Sequence, residues 1–446
     1  DAYWQGHVAE LEAGYAHFDA LDTATMDRDA LWAALQEAYT FHRRGWAIHF
    51  EVMYLLAANY LGLYGLAVEF GADPSEVARW LAGERTAFLA TDERLWALAV
   101  RARECGVDVV LAGAPERIDP QALRAEVLAT PQGGVWWAEL QGFLTEWGQR
   151  TDETCTIDRP SWAERPSTPL ATIREFLATE VHDFDAARRG VLAERDALVA
   201  KARDAIASEE DRERFDAALA ANRAANFVWW NEEHNFLIDR RIHLPVRRFS
   251  LALGERLVAD GVLAAADDVF WLFKPELFDA MAGRADWAEL AALVPQRRDY
   301  YARWSARGDE LPPMVGTVPE RVDDPIMTEI FGLTPEYLAT IRDGLVSAEL
   351  QGLGASGGVV VGTARVVRSA RDIDQIRAGE VLVCGGTTTE WTPAFGIVAA
   401  AVTDTGGSLA HTAIVSREYG IPCVVGTAVG TAAIRTGDRV RVDGDR

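Results

Sequence analysis

The chain has 446 residues, enough for two or three domains with substantial cores. Its formal charge of −24 argues against a surface for nucleic acid or anionic membrane. Four cysteines (Cys105, Cys155, Cys384, Cys423) lack C-x-x-C spacing, no apolar run reaches the ~18 residues of a membrane span, and no signal peptide is visible. A soluble, cytoplasmic protein with neither a zinc site nor a disulfide framework is therefore expected, and the missing initiator methionine leaves open what precedes Asp1.

Helical periodicity dominates residues 1–345. It predicts helices over Ala9–Ala20, Arg28–Met53 and beyond, Ser75–Ala87, Asp92–Cys105, Pro120–Leu128, Thr172–Gly190, Glu210–Asn222, Asn226–His243 and Arg247–Asp260. Breaker signals stand at Gly71–Pro74, Gly133-Gly134, Arg159-Pro160, Arg165-Pro166 and Pro245. On the second helix, His42, Trp46, His49 and Met53 follow i, i+4, i+7, i+11 on one face, which reads as a cavity lining or as ordinary core. Trp230–Arg240 is the densest cluster of reactive groups. Trp230, Glu233, His234 and Leu237 share one helix face, while Glu232, Phe236, Asp239 and Arg240 share another. Two readings stand level: a pocket where a carboxylate orients His234 to deprotonate a substrate hydroxyl, or a helix with Glu232 and Asp239 salt-bridged to arginines. Fifteen tryptophans supply core and material for a flat apolar site alike.

After the Pro-rich stretch Leu311–Pro325 and a short helix over Pro335–Leu345, the character of the chain changes. Val346–Leu353 reads as a hinge, and Val359–Val367, Gly379–Val383 and Ile397–Val402 read as strands. Gly406-Gly407 break the pattern, a helix follows over His411–Tyr419, and Gly420 with Pro422 ends it. A histidine at a helix start faces the positive end of the dipole and free backbone N–H groups. That setting favours the neutral, nucleophilic ring and then stabilises an anionic group attached to it, such as a phosphoryl.

Thr403-Asp404, Gly406-Gly407, His411, Ala413–Val415, Arg417-Glu418, Gly420–Pro422 and Val424–Gly426 together resemble the swivelling phosphohistidine domain of the PEP-utilising enzymes. That family includes PEP synthase, pyruvate phosphate dikinase, rifampicin phosphotransferase and phenylphosphate synthase. Ala410 stands where Ser or Cys is usual and Thr412 where Ala or Gly is usual. Gly352–Gly358 resembles the family's entry turn, Thr387–Pro393 its T-x-P-x-W-T-P loop with Thr389 for the first proline, and Gly437–Gly444 its closing hairpin. In the helical part, Trp147–Arg150, Glu153 and Pro160–Glu164 are similar to a run in the rifampicin-phosphotransferase-like substrate domain, with Gln149 replacing a His. Leu253–Leu257, Gly261–Leu263 and Asp267–Leu272 resemble a further segment of it.

The resemblance implies a mainly α-helical substrate-binding domain (1–345), a hinge (346–353) and a C-terminal α/β swivelling phosphohistidine domain (354–446). It implies that His411 carries a phosphoryl group to a hydroxyl of a small aromatic acceptor, with His234 or Glu233 as base. Gly406, Gly407, Ser408, Thr412 and Arg417 would bind the phosphoryl group; Trp46, His49, Met53, Trp230, Glu232 and Asp239 would line the acceptor site. No P-loop signature and no metal-ligand set are visible, so ATP and Mg²⁺ are assigned to an ATP-grasp subunit or domain elsewhere. Two alternatives remain: a ligase-like condensing enzyme of the prodigiosin type, and a non-catalytic ligand-binding relative.

Overall fold

The computed structural model describes residues 2–115, 118–152, 156–178, 183–307, 316–343, 349–388 and 391–445. The expectations placed on Glu153, Cys155, residues 179–182, 311–315 and 344–348, and on Thr389 and Glu390 lie outside these residues. The first part is helical, opening with α1 (Ala2–Asp19) and α2 (Arg28–Glu69). Asp27 caps α2 by accepting a hydrogen bond from Ala30 N at 2.8 Å. Its Ile48, Val52, Tyr60, Leu63 and Ala67 pack into a core with Phe227, Val228, Trp230 and Ile238. By length and composition alone α2 is apolar enough to cross a membrane. A search for an uninterrupted apolar run passes over it because His49, Glu51 and Asn59 fall within.

Several helices differ from the periodicity, each for a visible reason. The helix expected over Ser75–Ala87 stops after Val77–Trp80, because the carbonyls of Leu81, Ala82 and Gly83 accept from Asn226, Arg195 and Arg188 instead. Gly133-Gly134 opens a helix, Gly133–Trp147, rather than breaking one; a Cβ on Gly133 would lie 1.7 Å from Val127 O. Thr172–Gly190 is covered by two helices, Ser167–Leu177 and Phe184–Ala205. Asn226–His243 is an α-helix, Phe227–His234, followed by a π-helical turn, Asn235–Asp239, in which Arg240 N donates to Asn235 O, five residues back, at 3.1 Å. Pro120–Leu128 forms as expected. Lys274–Met281, Trp287–Ser305 and Pro325–Phe331 are further helices that periodicity did not single out.

The last hundred residues form one six-stranded sheet. Its strands are β1 (Leu353–Ser356), β2 (Val359–Val366), β3 (Val381–Cys384), β4 (Ala400–Thr403), β5 (Cys423–Val425) and β6 (Arg439–Asp443), in the order β1-β5-β4-β3-β2-β6. Strands β2, β3, β4 and β5 run parallel; β1 and β6 close the edges antiparallel. The expected closing hairpin is thus a long-range pair, β6 against β2. Strands β3 and β4 are buried at every residue, which is why they read as purely apolar runs, and Cys384 and Cys423 are core residues of β3 and β5. The helix His411–Tyr419 is the crossover from β4 to β5.

Sheet and helices meet along a wide seam. Tyr419 donates to Asp92 Oδ2 at 2.7 Å, Gly83 N donates to Glu418 Oε1 at 3.0 Å, and Arg377 donates to Glu175 Oε1 at 2.8 Å. Leu409 and Ile414 belong to the same core as α2. The Pro325–Phe331 helix reaches across as well: the carbonyls of Glu329, Ile330 and Phe331 accept from Leu409 N, Gly407 N and Gly406 N. Gly332 ends that helix at φ +70°, and a Cβ there would lie 2.1 Å from Gly406 O. Gly332→Ala combines a left-handed backbone with a backbone clash, so it is expected to lower stability by about 2 kcal/mol or more, read from the denaturant midpoint.

Burial raises the carboxyl of Asp92 from 3.8 to about 7 and that of Glu418 from 4.5 to about 7. On unfolding, both groups return to ordinary values. Between roughly pH 4 and pH 7 the folded seam therefore holds protons that the unfolded chain releases, so stability falls as pH rises through that window and levels off above it. The unfolding midpoint is expected to fall from about pH 5 to about pH 8, with Asp92→Asn and Glu418→Gln flattening the slope. A midpoint that rises with pH would contradict this.

Candidate active site

The carboxyl ends of β3 and β4 lie side by side and send out two loops, the arrangement in which open α/β sheets form crevices. The loop after β4 is fixed by its own polar residues. Thr403 Oγ1 donates to Thr405 O at 2.7 Å, and Asp404 Oδ1 accepts from Thr431 N at 2.9 Å. The loop turns at Gly406 (φ +113°) and delivers His411 as the first residue of its helix. The loop after β3 brings Thr387 alongside. Thr387 Oγ1 lies 2.9 Å from His411 Nδ1 and 2.7 Å from Thr412 Oγ1, so the unusual Thr412 extends the chain of hydroxyls holding the ring.

The other ring nitrogen faces the helical part. His411 Nε2 lies 3.3 Å from Glu232 Oε2, with 9% of the His411 side chain and 2% of Glu232 exposed. Burial first, and Arg240 second, push the His411 imidazole down to about 3. Burial, aided by Glu418 and Asp239, holds the Glu232 carboxyl well above the usual range. The His411 imidazole is thus neutral near pH 7, and burial disfavours the ionised form of Glu232. The imidazole has its nucleophilic form, and a protonated Glu232 is a donor.

A cavity of about 310 Å³ opens beside His411, bounded by Asn231, Asn235 and Asp239 from the helical part, Ile330 and Phe331, and Thr387. This lies at the small end of ligand sites. A larger cleft of about 620 Å³, lined by Gln149, Ser161, Glu164 and Arg247 among others, shares no residue with it. His411 lines the smaller one.

The residues singled out by sequence divide between cavity and scaffold. Asp239 lines the cavity and Glu232 touches His411; neither is paired with an arginine among the described contacts, since Asp239 Oδ1 lies 3.3 Å from His49 Nδ1. His234 stacks on Trp230 (ring centroids 4.1 Å apart) and lies behind Asp239, its Nε2 3.8 Å from Oδ2. Glu233 turns the other way and accepts from Ala87 N at 2.9 Å, capping the helix Ala87–Cys105. Trp46, Met53 and Trp230 pack in the helical core. Of the proposed phosphoryl ligands, Thr412 is near the ring, while Gly406 and Gly407 N–H donate to Phe331 and Ile330 carbonyls. The Ser408 hydroxyl donates to Glu329, and Arg417 braces the loop through Ser408 O at 2.6 Å and Ala355 O at 3.1 Å. Sequence reasoning passed over Asn231, Asn235, Glu329 and the role of Thr387. Asn231 and Asn235 carried a signal as members of the Trp230–Arg240 cluster and Thr387 by its place in the loop after β3, whereas Glu329 carried none.

Comparison with known proteins agrees with a helical part followed by an α/β sheet part. Residues 376–446 match the mobile domain of PEP-utilising enzymes, and residues 48–232 match the fourth domain of rifampicin phosphotransferase. A chondramide synthase of Chondromyces crocatus is 30% identical across 98% of this chain, which covers 11% of that protein. An uncharacterised phosphotransferase of Bacillus subtilis, YvkC, is 28% identical across 96% of this chain and 50% of its own length. A rifampicin phosphotransferase of Streptomyces sviceus is 31% identical across 72% of this chain and 35% of its own. The chain thus spans half or less of each of these relatives. It belongs to the PEP-utilising enzymes, joining their mobile domain to a helical part of the rifampicin phosphotransferase type.

Proposed function

We propose that this chain is the phosphocarrier and acceptor-binding portion of a dikinase-like phosphotransferase, with His411 as the carrier. The observation that supports this most is the division of labour around one ring. Nδ1 is held by Thr387, while Nε2 faces the helical part beside a cavity shared by both parts. In the first half-reaction the Nε2 lone pair forms an N–P bond as a P–O bond of the nucleotide breaks. ATP and Mg²⁺ would be held on an ATP-grasp domain or subunit beyond this chain. In the second half-reaction, an acceptor oxygen in the cavity forms an O–P bond as the N–P bond breaks, and the electron pair returns to Nε2. The acceptor proton passes to the Asp239 carboxylate on the cavity wall. The division of one transfer into two positioned steps is the gain from covalent relay.

Glu232 has a defined part in this scheme. An ionised carboxylate 3.3 Å from Nε2 would repel a phosphoryl group, whereas a protonated one donates to its oxygens. The cavity suits a small acceptor, with Ile330 and Phe331 as its apolar wall, and is consistent with a compact aromatic alcohol or phenol. A condensing reaction, in which phosphoryl transfer activates a substrate and leaves no phosphorylated product, is the second reading; the end-to-end match with a synthase favours keeping it.

Intact-protein mass after incubation with ATP, Mg²⁺ and an ATP-grasp partner tests the carrier role. Wild type is expected to gain one acid-labile phosphoryl group and His411→Ala none. Thr387→Ala removes a hydrogen bond worth about 1 kcal/mol and should slow labelling roughly fivefold without abolishing it. No labelling of wild type with ATP or PEP as donor would sink the proposal, and a stable phosphorylated product would separate it from the condensing alternative.

A further inference from the structure

Behind the cavity wall, three side chains from two separate helices converge. His49 comes from the middle of α2, His234 ends the helix Phe227–His234, and Asp239 ends the π turn. Their ligand atoms all lie within 4.8 Å of one another: Asp239 Oδ1 is 3.3 Å from His49 Nδ1, and Oδ2 is 3.8 Å from His234 Nε2. The side chains are 10%, 12% and 4% exposed for Asp239, His49 and His234. The π turn is what permits this. In an uninterrupted α-helix, residues five apart point roughly 140° away from each other; the i to i+5 bond of the turn brings Asp239 round to the His234 side.

The hydrogen bonding around this cluster leaves it short of a positive charge. His234 Nδ1 lies 2.8 Å from the Trp230 carbonyl, which can only accept, so Nδ1 carries the proton and Nε2 presents a lone pair. That lone pair faces a carboxylate oxygen, another acceptor. His49 Nδ1 and Asp239 Oδ1 are both buried, face each other, and make no hydrogen bond. A buried lone pair facing a carboxylate oxygen, and buried polar atoms left without a hydrogen bond, are costly. A carbonyl fixing the tautomer of a histidine through its other nitrogen is also how metal-ligating imidazoles are oriented. The rings are held in place too: His234 is stacked on Trp230, and His49 sits edge-on to His234 with centroids 4.4 Å apart.

We propose that His49 Nδ1, His234 Nε2 and an Asp239 carboxylate oxygen bind one divalent transition-metal ion of the zinc class, with a further coordination position open toward the His411 cavity. Two imidazoles and one carboxylate are a common donor set for such ions. Ligand atoms around a tetrahedral zinc stand about 3.3 Å apart, so the cluster, all within 4.8 Å, needs to contract by up to about 1.5 Å at its widest. Asp239 supplies one oxygen to the ion and keeps the other for the cavity it lines. A role for the ion in polarising the acceptor oxygen rests on the phosphotransfer reading, whereas ion binding itself does not.

The test uses the full chain, stripped with a chelator and titrated with Zn²⁺ or Co²⁺ alone. Calorimetry is the readout, together with the visible absorption of Co²⁺ in a nitrogen- and oxygen-ligated site. One equivalent is expected to bind. His49→Ala and Asp239→Asn, each shown folded by circular dichroism, should weaken binding at least about tenfold, while His411→Ala, which lies outside the donor set, should bind as wild type does. Absence of a stoichiometric site in the wild type, or equal binding by the two ligand variants, would overturn the proposal. Normal ion binding with no labelling of His411 would leave the site standing and count against the phosphotransfer reading alone.

Discussion

The arrangement depends on one contact between two buried groups, His411 Nε2 and Glu232 Oε2, 3.3 Å apart across the seam. Burial moves the two titrations in opposite directions, the imidazole down and the carboxyl up, and both moves remove charge. The same logic runs along the rest of the seam, where Asp92 and Glu418 are also raised by burial and are satisfied by Tyr419 and by the Gly83 amide. Each proton retained on these buried acids lowers the desolvation cost that a buried ion would carry. It also presents a donor where the proposed reaction brings negative charge.

The remaining scaffold fixes that contact from both sides. On the sheet side, Asp404 ties the glycine turn to Thr431, Arg417 holds its underside, and Thr387 holds the ring. On the helical side, Glu232 and Asp239 are aimed by the change from α to π geometry within one run of residues. The Pro325–Phe331 helix links the two through three consecutive carbonyls on the loop before His411. Because those carbonyls hold Gly406 and Gly407 N–H, the loop is shaped before any ligand arrives. This kind of preorganisation favours transfer between positioned groups.

Much of the sheet part could be read from the sequence because its signals are local. Apolar runs gave β3 and β4, the glycine pair gave the turn, and the helix was bounded at His411 and Gly420 as observed. The helical part was legible as helices but less so in its ends. Ser75–Ala87 shortened because side chains distant in sequence took its carbonyls, and no window of periodicity contains Asn226 or Arg188.

The site itself was half legible. The cluster Trp230–Arg240 supplies Glu232 and Asp239 to the surroundings of His411, yet regular 3.6-residue geometry puts Glu233 and His234 together. In the structure Glu233 caps a helix, and Glu232 faces His411. A π turn is invisible to helical periodicity, so the approach of Asp239 to His234, and of both to His49 on α2, could not be anticipated. Thr387 is legible as part of the loop that resembles T-x-P-x-W-T-P, but its contact with Nδ1 is set by the tertiary fold.

The account stands on which nitrogen of His411 does the work. Nitrogen-15 NMR of ring-labelled histidine, recorded on the phosphorylated chain, reads this directly from the phosphorus–nitrogen coupling. Phosphorus on Nε2, with Nδ1 still protonated and held by Thr387, is the predicted result. Phosphorus on Nδ1 would contradict the account, because the group would then sit on the Thr387 side, away from Glu232.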